Sequence, residues 1–381
     1  MNSLRNIYLV ISQGCNLSCS YCYARGGDFG LGEAFMGRKT MEKALERLLP
    51  LAEGKCNISF FGGEPLLNIP LMEATVDYGR RMKEERGIEL TYSLTTNGTA
   101  FGKETMPFLK GHISYIAVSL DGPQGVTDAN RRYRGNDKSV YGNAVEGIRM
   151  LKEAGIPFGI TATVTPDTAD LLPDTVAHLA SFGPRTLRII PVIPVNGEGW
   201  KGERLRSLIE GINSANSSSI DRIFKGERPV LAEYLFKTLS HYLGSSKKVY
   251  PCTAGEGILG VSAKGDVYPC DHFVGTGGFK MGNVFEAGFP GGSFLEIQER
   301  LWRNSVDGRE KCRECGIKYL CGGECHARSF MITGDIETPS PDYCALMKSA
   351  AENIRAKASE GLGTEGKRIR LLEFIGKPSK K

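Results

Sequence analysis

Gly14-Cys15-Asn16-Leu17-Ser18-Cys19-Ser20-Tyr21-Cys22-Tyr23 stands directly after a short apolar run, Ile7–Ser12, and decides how the chain is to be read. Cysteines spaced C-x3-C-x2-C in one loop can wrap a single metal centre. The run before them is strand-like. Further β-rich runs recur at Asn57–Phe61, Glu89–Thr95, Tyr115–Leu120, Phe158–Val164 and Thr186–Ile193. Amphipathic helical stretches lie between them, among them Met41–Leu51, Leu71–Glu85, Ser139–Ala154 and Asp170–Phe182. Strands alternating with helices imply βαβ units and a parallel sheet. Six such units fall short of the eight that close a barrel, so the pattern predicts an α/β fold built on an open, partial (β/α)6 barrel of parallel strands. Functional residues are then expected in the loops that follow the strands.

The cysteine count sharpens this. Of eleven cysteines in 381 residues, three form the opening cluster and seven follow residue 250: Cys252, Cys270, Cys312, Cys315, Cys321, Cys325 and Cys344. The chain has no stretch long enough to span a membrane and no signal pattern at its start, which predicts a cytoplasmic protein with no membrane association. Disulfides are disfavoured there, so close spacing points to metal or cluster ligation. Cys56, in Lys55-Cys56-Asn57-Ile58-Ser59-Phe60-Phe61, reads instead as a buried core thiol. A hydrophobic share of 41%, a charged share of 24% and a net charge of +5 are ordinary for a globular protein. The basic residues Lys367, Arg368, Arg370, Lys377, Lys380 and Lys381 read as a solvated tail rather than a nucleic-acid site.

These features divide the chain into residues 1–195 (the partial barrel), 196–249 (a bridge), 250–345 (the cysteine-rich domain) and 346–381 (a closing helix, Leu346–Lys357, with the basic tail). From Asn196 to about Arg228 Gly, Ser and Asn are frequent and the pattern reads as irregular, whereas Pro229–Leu243 reads as helical. The chain enters its first strand almost at once, so no domain is expected ahead of it.

A [4Fe–4S] cluster ordinarily takes four cysteines. Three local ligands leave one iron open, and an open iron permits chemistry. A closed structural zinc site is the alternative, but it wants four ligands, and no His or fourth Cys lies nearby. With an aromatic residue, Tyr21, before the third cysteine, the cluster resembles the radical S-adenosylmethionine superfamily. That resemblance implies that Cys15, Cys19 and Cys22 hold the cluster and that S-adenosylmethionine chelates the open iron. One electron would then split the sulfonium to a 5′-deoxyadenosyl radical that abstracts a substrate hydrogen atom. Gly62-Gly63-Glu64-Pro65 resembles the family motif for the methionyl amino group: glycines let backbone approach closely, and an acid can accept from an ammonium. Ser119 and Arg131 match residues that contact ribose and carboxylate in related enzymes, the plain alternative for Arg131 being a surface salt bridge. Thr96-Asn97-Gly98-Thr99 reads as a turn without an assigned role.

Cys252, Gly265-Asp266-Val267-Tyr268-Pro269-Cys270, Cys312-x2-Cys315-x5-Cys321-x3-Cys325 and Cys344 resemble the SPASM domain of enzymes that mature peptides and proteins. The resemblance assigns Cys312, Cys315, Cys321 and Cys344 to one auxiliary cluster. Cys252, Cys270 and Cys325 would hold the other, one thiolate short, so that an iron stays open or another residue fills the place; zinc in one of the pairs is the alternative. It implies three [4Fe–4S] clusters, S-adenosylmethionine, a peptide or protein substrate, and a low-potential donor such as flavodoxin or ferredoxin. Auxiliary clusters would take the electron that a product radical must lose.

Two subfamilies compete for the substrate. Tyr268-Pro269-Cys270-Asp271-His272 is similar to anaerobic sulfatase-maturating enzymes, which convert Cys or Ser to formylglycine, and Asp271 matches their base. Ala24, where these usually have Tyr, and Phe61 before the Gly-Gly pair depart from them. Cys22-Tyr23-Ala24-Arg25-Gly26-Gly27 and Phe60-Phe61-Gly62-Gly63-Glu64-Pro65-Leu66 look like maturases that form thioether or carbon crosslinks, and this reading is slightly preferred. Many of those carry an N-terminal precursor-recognition domain, so a separate recognition protein, or a folded protein substrate, is expected. A non-catalytic iron–sulfur or zinc protein is the alternative of another class.

Overall fold

The computed structural model describes residues 3–194, 199–231, 233–244 and 246–376, so Lys377–Lys381 and the first residues of the expected bridge lie outside the described residues. Six βα repeats open the chain. Their strands are β1 (Asn6–Ser12), β2 (Lys55–Gly62), β3 (Glu89–Thr96), β4 (Ile113–Ser119), β5 (Phe158–Val164) and β6 (Thr186–Pro191). Helices α1 (Arg38–Leu48), α2 (Ile69–Arg86), α3 (Met106–His112), α4 (Gln124–Asn130), α5 (Val140–Glu153) and α6 (Leu172–Ser181) accompany them. Then come α7 (Gly202–Lys225), α8 (Glu233–Gly244), strands β7 (Ile258–Val261), β8 (Asp266–Tyr268) and β9 (Gly282–Asn283), and α9 (Gly292–Arg303). The remainder is helical: α10 (Glu310–Arg313), α11 (Lys318–Cys321), α12 (His326–Thr333), α13 (Pro341–Leu362) and α14 (Glu365–Phe374).

The chain folds as two compact units. The first comprises residues 1–120, 124–159 and 253–303. Here β1 pairs in parallel with β2, β2 with β3, and β3 with β4. The other edge of β1 is taken by β7, also parallel, and β8 and β9 follow antiparallel. With both edges of β1 occupied, the sheet continues outward instead of closing, which gives the expected open barrel. Alternation along the strands sorts the two faces. Ile7, Leu9 and Ile11 of β1, Ile58 and Phe60 of β2, and Leu94 of β3 are buried, as are Met41, Ala44, Leu45 and Leu48 of α1. The opposite face is polar toward the strands' N-terminal ends, with Val10 and Phe61 beyond. Register sets Asn6 beside Asn57 and Asn57 beside Thr91, with Tyr8, Ser59 and Ser93 in the next row. Asn57 Nδ2 donates to Asn6 Oδ1 at 2.6 Å and to Ser93 Oγ at 2.9 Å. A closed (β/α)8 barrel fills its interior with branched apolar side chains. This interior face carries amides and hydroxyls instead, chemistry suited to polar ligands.

The second unit comprises residues 121–123, 160–252 and 304–381. Residues 196–228, expected to be irregular, are largely one helix, the 24-residue α7. Its Gly, Ser and Asn have poor helix propensity, but burial outweighs propensity. Leu208, Ile212, Ala215, Ile220, Ile223 and Phe224 line one face, and a Cβ on Gly211 would meet Leu172 at 2.8 Å. Small residues permit that close approach. Ile220, Ile223, Phe224, Leu235, Leu239, Ile354, Ala358, Leu371 and Ile375 form a core joining α7, α8, α13 and α14. The closing helix α13 is longer than the expected Leu346–Lys357. Cys56 is buried, as expected. No helix among the described residues is long and apolar enough to cross a membrane.

Candidate functional site

In the first unit Cys15, Cys19 and Cys22 occupy the loop after β1. Antiparallel contacts clasp it: Ser18 N donates to Arg132 O at 2.8 Å, Ser20 N to Asn130 O at 2.9 Å, and Arg134 N to Asn16 O at 3.0 Å. Backbone amides already aim at the sulfurs, Leu17 N at Cys15 Sγ (3.3 Å) and Gly26 N at Cys22 Sγ (3.4 Å). Burial, with Glu64, Cys19 and Cys22 adding, pushes the Cys15 thiol up to about 12, against the Leu17 amide. Such a thiol ionises only against a cation, which is what an iron centre provides. The donor set therefore fits a three-thiolate cluster.

The loop after β2 packs directly on this one. Gly63 N donates to Ser12 O at 2.8 Å and Glu64 N to Gly14 O at 3.0 Å. A Cβ on Gly63 would lie 2.2 Å from Gly14 O and 2.9 Å from Cys15 Cβ, so the approach requires glycine. Glu64 is fully buried. Its carboxylate accepts from Leu66 N (3.0 Å), Thr96 Oγ1 (2.8 Å) and Asn97 N (2.7 Å). Burial raises it to about 7 against those hydrogen bonds. The structure thus gives this carboxylate the task of stapling the β2 loop to the β3 loop. Asn97, unassigned from sequence, reaches the cluster loop, with Nδ2 2.8 Å from Asn16 Oδ1 and 3.8 Å from Cys15 Sγ. Its place after a strand was the available signal. Ser119 ends β4, partly exposed. Arg131 is 7% exposed, with its guanidinium 5.6 Å from the Tyr21 ring centroid.

Cys270, Asp271 and His272 belong to the same unit. A Cβ on Gly260 of β7 would stand 2.7 Å from the Cys270 carbonyl, so β7 seats this turn closely. Asp271 is 7% exposed, and its Oδ2 lies 2.9 Å from His272 Nδ1. Ligating atoms of all three residues lie within 4.8 Å of one another, which sets non-thiolate donors beside Cys270. The His272 ring stacks on Tyr23, centroids 4.7 Å apart and planes 2° apart. Burial pushes the Tyr23 phenol well above its ordinary range, with Asp271, Cys270 and Cys22 adding to the rise. Tyr23 therefore senses both the opening cluster and the Cys270 turn. Its hydroxyl is buried with no hydrogen-bond partner. The Tyr23–His272 stack was not legible from sequence.

In the second unit Cys312, Cys315, Cys321 and Cys344 line one cavity with Lys311, Lys318, Tyr343 and Lys348. Burial pushes Cys344 up to about 11, and Cys321, Cys312 and Cys315 add to the rise, so the four sulfurs share one electrostatic site. This is a full thiolate set for a closed cluster. Cys252, exposed, and Cys325, which caps α12, belong to this unit as well.

An open parallel barrel with a three-thiolate loop after its first strand defines a radical enzyme of the S-adenosylmethionine type. Residues 9–179 match the radical SAM superfamily, and residues 252–316 match SPASM, an iron–sulfur cluster-binding domain. The chain is 25% identical over 338 residues to a cysteine-type anaerobic sulfatase-maturating enzyme of Clostridium novyi, covering 85% of this chain and 88% of that one. An AdoMet-dependent heme synthase of Oleidesulfovibrio alaskensis is 24% identical over 381 residues, covering 91% and 89%. Among solved structures, native anSMEcpe with bound AdoMet and Cp18Cys peptide shares the fold at a TM-score of 0.77 and 22% identity, covering 93% of this chain and 98% of that chain. The chain is a radical SAM enzyme with a SPASM domain, of the family that includes the sulfatase maturases, and it uses S-adenosylmethionine and iron–sulfur clusters.

Proposed function

We propose that this enzyme oxidises a thiol- or hydroxyl-bearing side chain of a peptide or protein substrate, with Asp271 as the base. The observation that carries the reading is the burial of Asp271 in the unit that holds the cysteine triad, where it and Cys22 both act on Tyr23. When bound, the cluster at Cys15, Cys19 and Cys22 together with S-adenosylmethionine supplies hydrogen-atom abstraction. The side chain must also lose one proton and one electron. Asp271 takes the proton, its orientation held by His272 Nδ1, and the stack on Tyr23 holds His272 in turn. Backbone at Gly62–Gly63, with Ser119 and Arg131, orients the cofactor; Asn97 and Glu64 keep those loops in register. Auxiliary clusters, one of them at Cys312, Cys315, Cys321 and Cys344, receive the electron, and a flavodoxin or ferredoxin delivers the electron that starts the cycle.

An oxidised Ser is formylglycine directly, and hydrolysis of the thioaldehyde left by an oxidised Cys would give formylglycine with loss of hydrogen sulfide. Capture by a neighbouring group would give a thioether or other crosslink, with an open auxiliary iron as the thiolate site and a separate recognition protein for the precursor. Ala24 and Phe61 favour this second outcome, because both depart from the sulfatase-maturating pattern. Anaerobically reconstituted enzyme with reductant, S-adenosylmethionine and a panel of Cys- and Ser-containing peptides separates them. A product that reacts with hydrazides supports formylglycine. A product that resists both hydrazides and thiol alkylation supports a crosslink, and a panel left unmodified while an iron-porphyrin precursor is consumed overturns both.

A further inference from the structure

Among the described residues Arg309 is the largest fully buried side chain, at 1% exposure, and it adjoins the Cys312 cavity from the N-terminal end of α10. Its guanidinium is surrounded by groups without negative charge. Nε donates to Asn304 Oδ1 at 2.7 Å and Nη1 to the Glu324 carbonyl at 3.0 Å. Nη2 faces His326 Nδ1 at 3.5 Å. Asn304 Nδ2 also points at that nitrogen, from 3.0 Å, so Nδ1 is an acceptor and the ring is not an imidazolium. The Glu324 carboxylate is engaged elsewhere. Glu324 Oε1 accepts from Arg328 Nε (2.8 Å) and Ser340 Oγ (2.7 Å), and Oε2 accepts from Ser340 N (2.6 Å) and Ser329 Oγ (3.1 Å). Among the described residues no carboxylate pairs with Arg309. A Cβ on Gly323 would lie 2.7 Å from Nη1, so a glycine makes room for the cation on the cavity wall.

A buried cation without a counter-charge is expensive unless what the site holds is anionic. Four thiolates around an iron–sulfur cluster would provide that anion, and the guanidinium stands directly behind Gly323 of the cavity that Cys312 lines, with Cys312 N donating to the Arg309 carbonyl at 3.0 Å. We propose that Arg309 is the internal counter-cation of the cluster at Cys312, Cys315, Cys321 and Cys344. Fixed positive charge favours the more negative, reduced cluster, so it raises the potential and makes this cluster an electron acceptor. Arg309 is thus a positioning and tuning residue. The inference rests on the reading that these four cysteines hold a cluster.

The test is an anaerobic redox titration of the reconstituted full chain followed by EPR, with the signal assigned as the one that Cys315→Ala removes. Arg309→Gln is expected to keep the cluster and move its midpoint to more negative potential, and Arg309→Lys to restore part of the shift. Asn304→Asp leaves Arg309 in place but sets a carboxylate on Nε, and is expected to move the midpoint the same way. Should Arg309→Gln lose iron, Asn304→Asp decides. An unmoved midpoint in an iron-replete variant overturns the inference. If Cys315→Ala removes no signal and no iron from the parent, the cluster reading has failed instead.

Discussion

The two cysteine sites solve different problems, and their shells show it. The N-terminal loop offers three thiols, and the groups aimed at its sulfurs are uncharged: backbone amides of Leu17 and Gly26 and the Asn97 side chain, with glycine backbone at Gly62–Gly63 packed against the loop. The C-terminal nest offers four thiols and has a fully buried guanidinium behind Gly323 of its wall. Three ligands and glycine walls leave room for a cofactor to reach iron. Four ligands and a fixed charge suit a cluster that exchanges electrons and nothing else. The contrast teaches that ligand count and the charge of the shell, not the presence of cysteine, separate a reactive site from a conducting one.

The largest expected effect breaks that comparison at the open site. Cys19→Ala should abolish 5′-deoxyadenosine formation while the auxiliary clusters stay bound, because the ligand sets belong to separate loops; cleavage at the parent rate would remove the triad from the radical step. Next is Asp271→Asn, which should keep iron and 5′-deoxyadenosine but lower product formation by about a hundredfold to ten-thousandfold, the range for loss of a general base. Turnover near the parent rate with clusters intact would shift the account to the crosslink reading, with an open auxiliary iron as the thiolate site.

Gly63→Ala sharpens the same contrast more gently. Its methyl group would displace Gly14 and Cys15, so cofactor cleavage should fall by at least about tenfold (roughly 1.4 kcal/mol) while iron at the C-terminal nest is unchanged. Equal losses at both sites would mean a global fold defect. The smallest effect is expected at Cys56, whose thiol burial pushes up to about 12. Cys56→Ala should cost about 1–2 kcal/mol in denaturant titration and leave both iron content and cofactor cleavage intact; a loss of iron would make it a ligand.

The barrel was legible because its signals are local. Alternating strand and helix patterns located all six strands of the barrel, and the loops after β1 and β2 announced themselves by cysteine and glycine spacing. Residues 202–225 were not legible, because Ser217-Ser218-Ser219 and Asn213-Ser214-Ala215-Asn216 look like a loop until α13 and α14 cover them. The pairing of β7 with β1 was equally hidden, since a four-residue strand carries little pattern of its own. At the site, Cys270 and Asp271 could be named from a motif, but the stack of His272 on Tyr23 joins residues about 250 positions apart. Arg309 was silent for the same reason: its meaning lies in the charges missing around it.

The division of labour between an open site and closed ones is tested most directly by counting iron and acid-labile sulfide in the reconstituted parent and in Cys19→Ala. Three complete clusters predict about twelve irons in the parent and about eight in the variant. A parent count near four, or stoichiometric zinc in place of iron, would contradict the account.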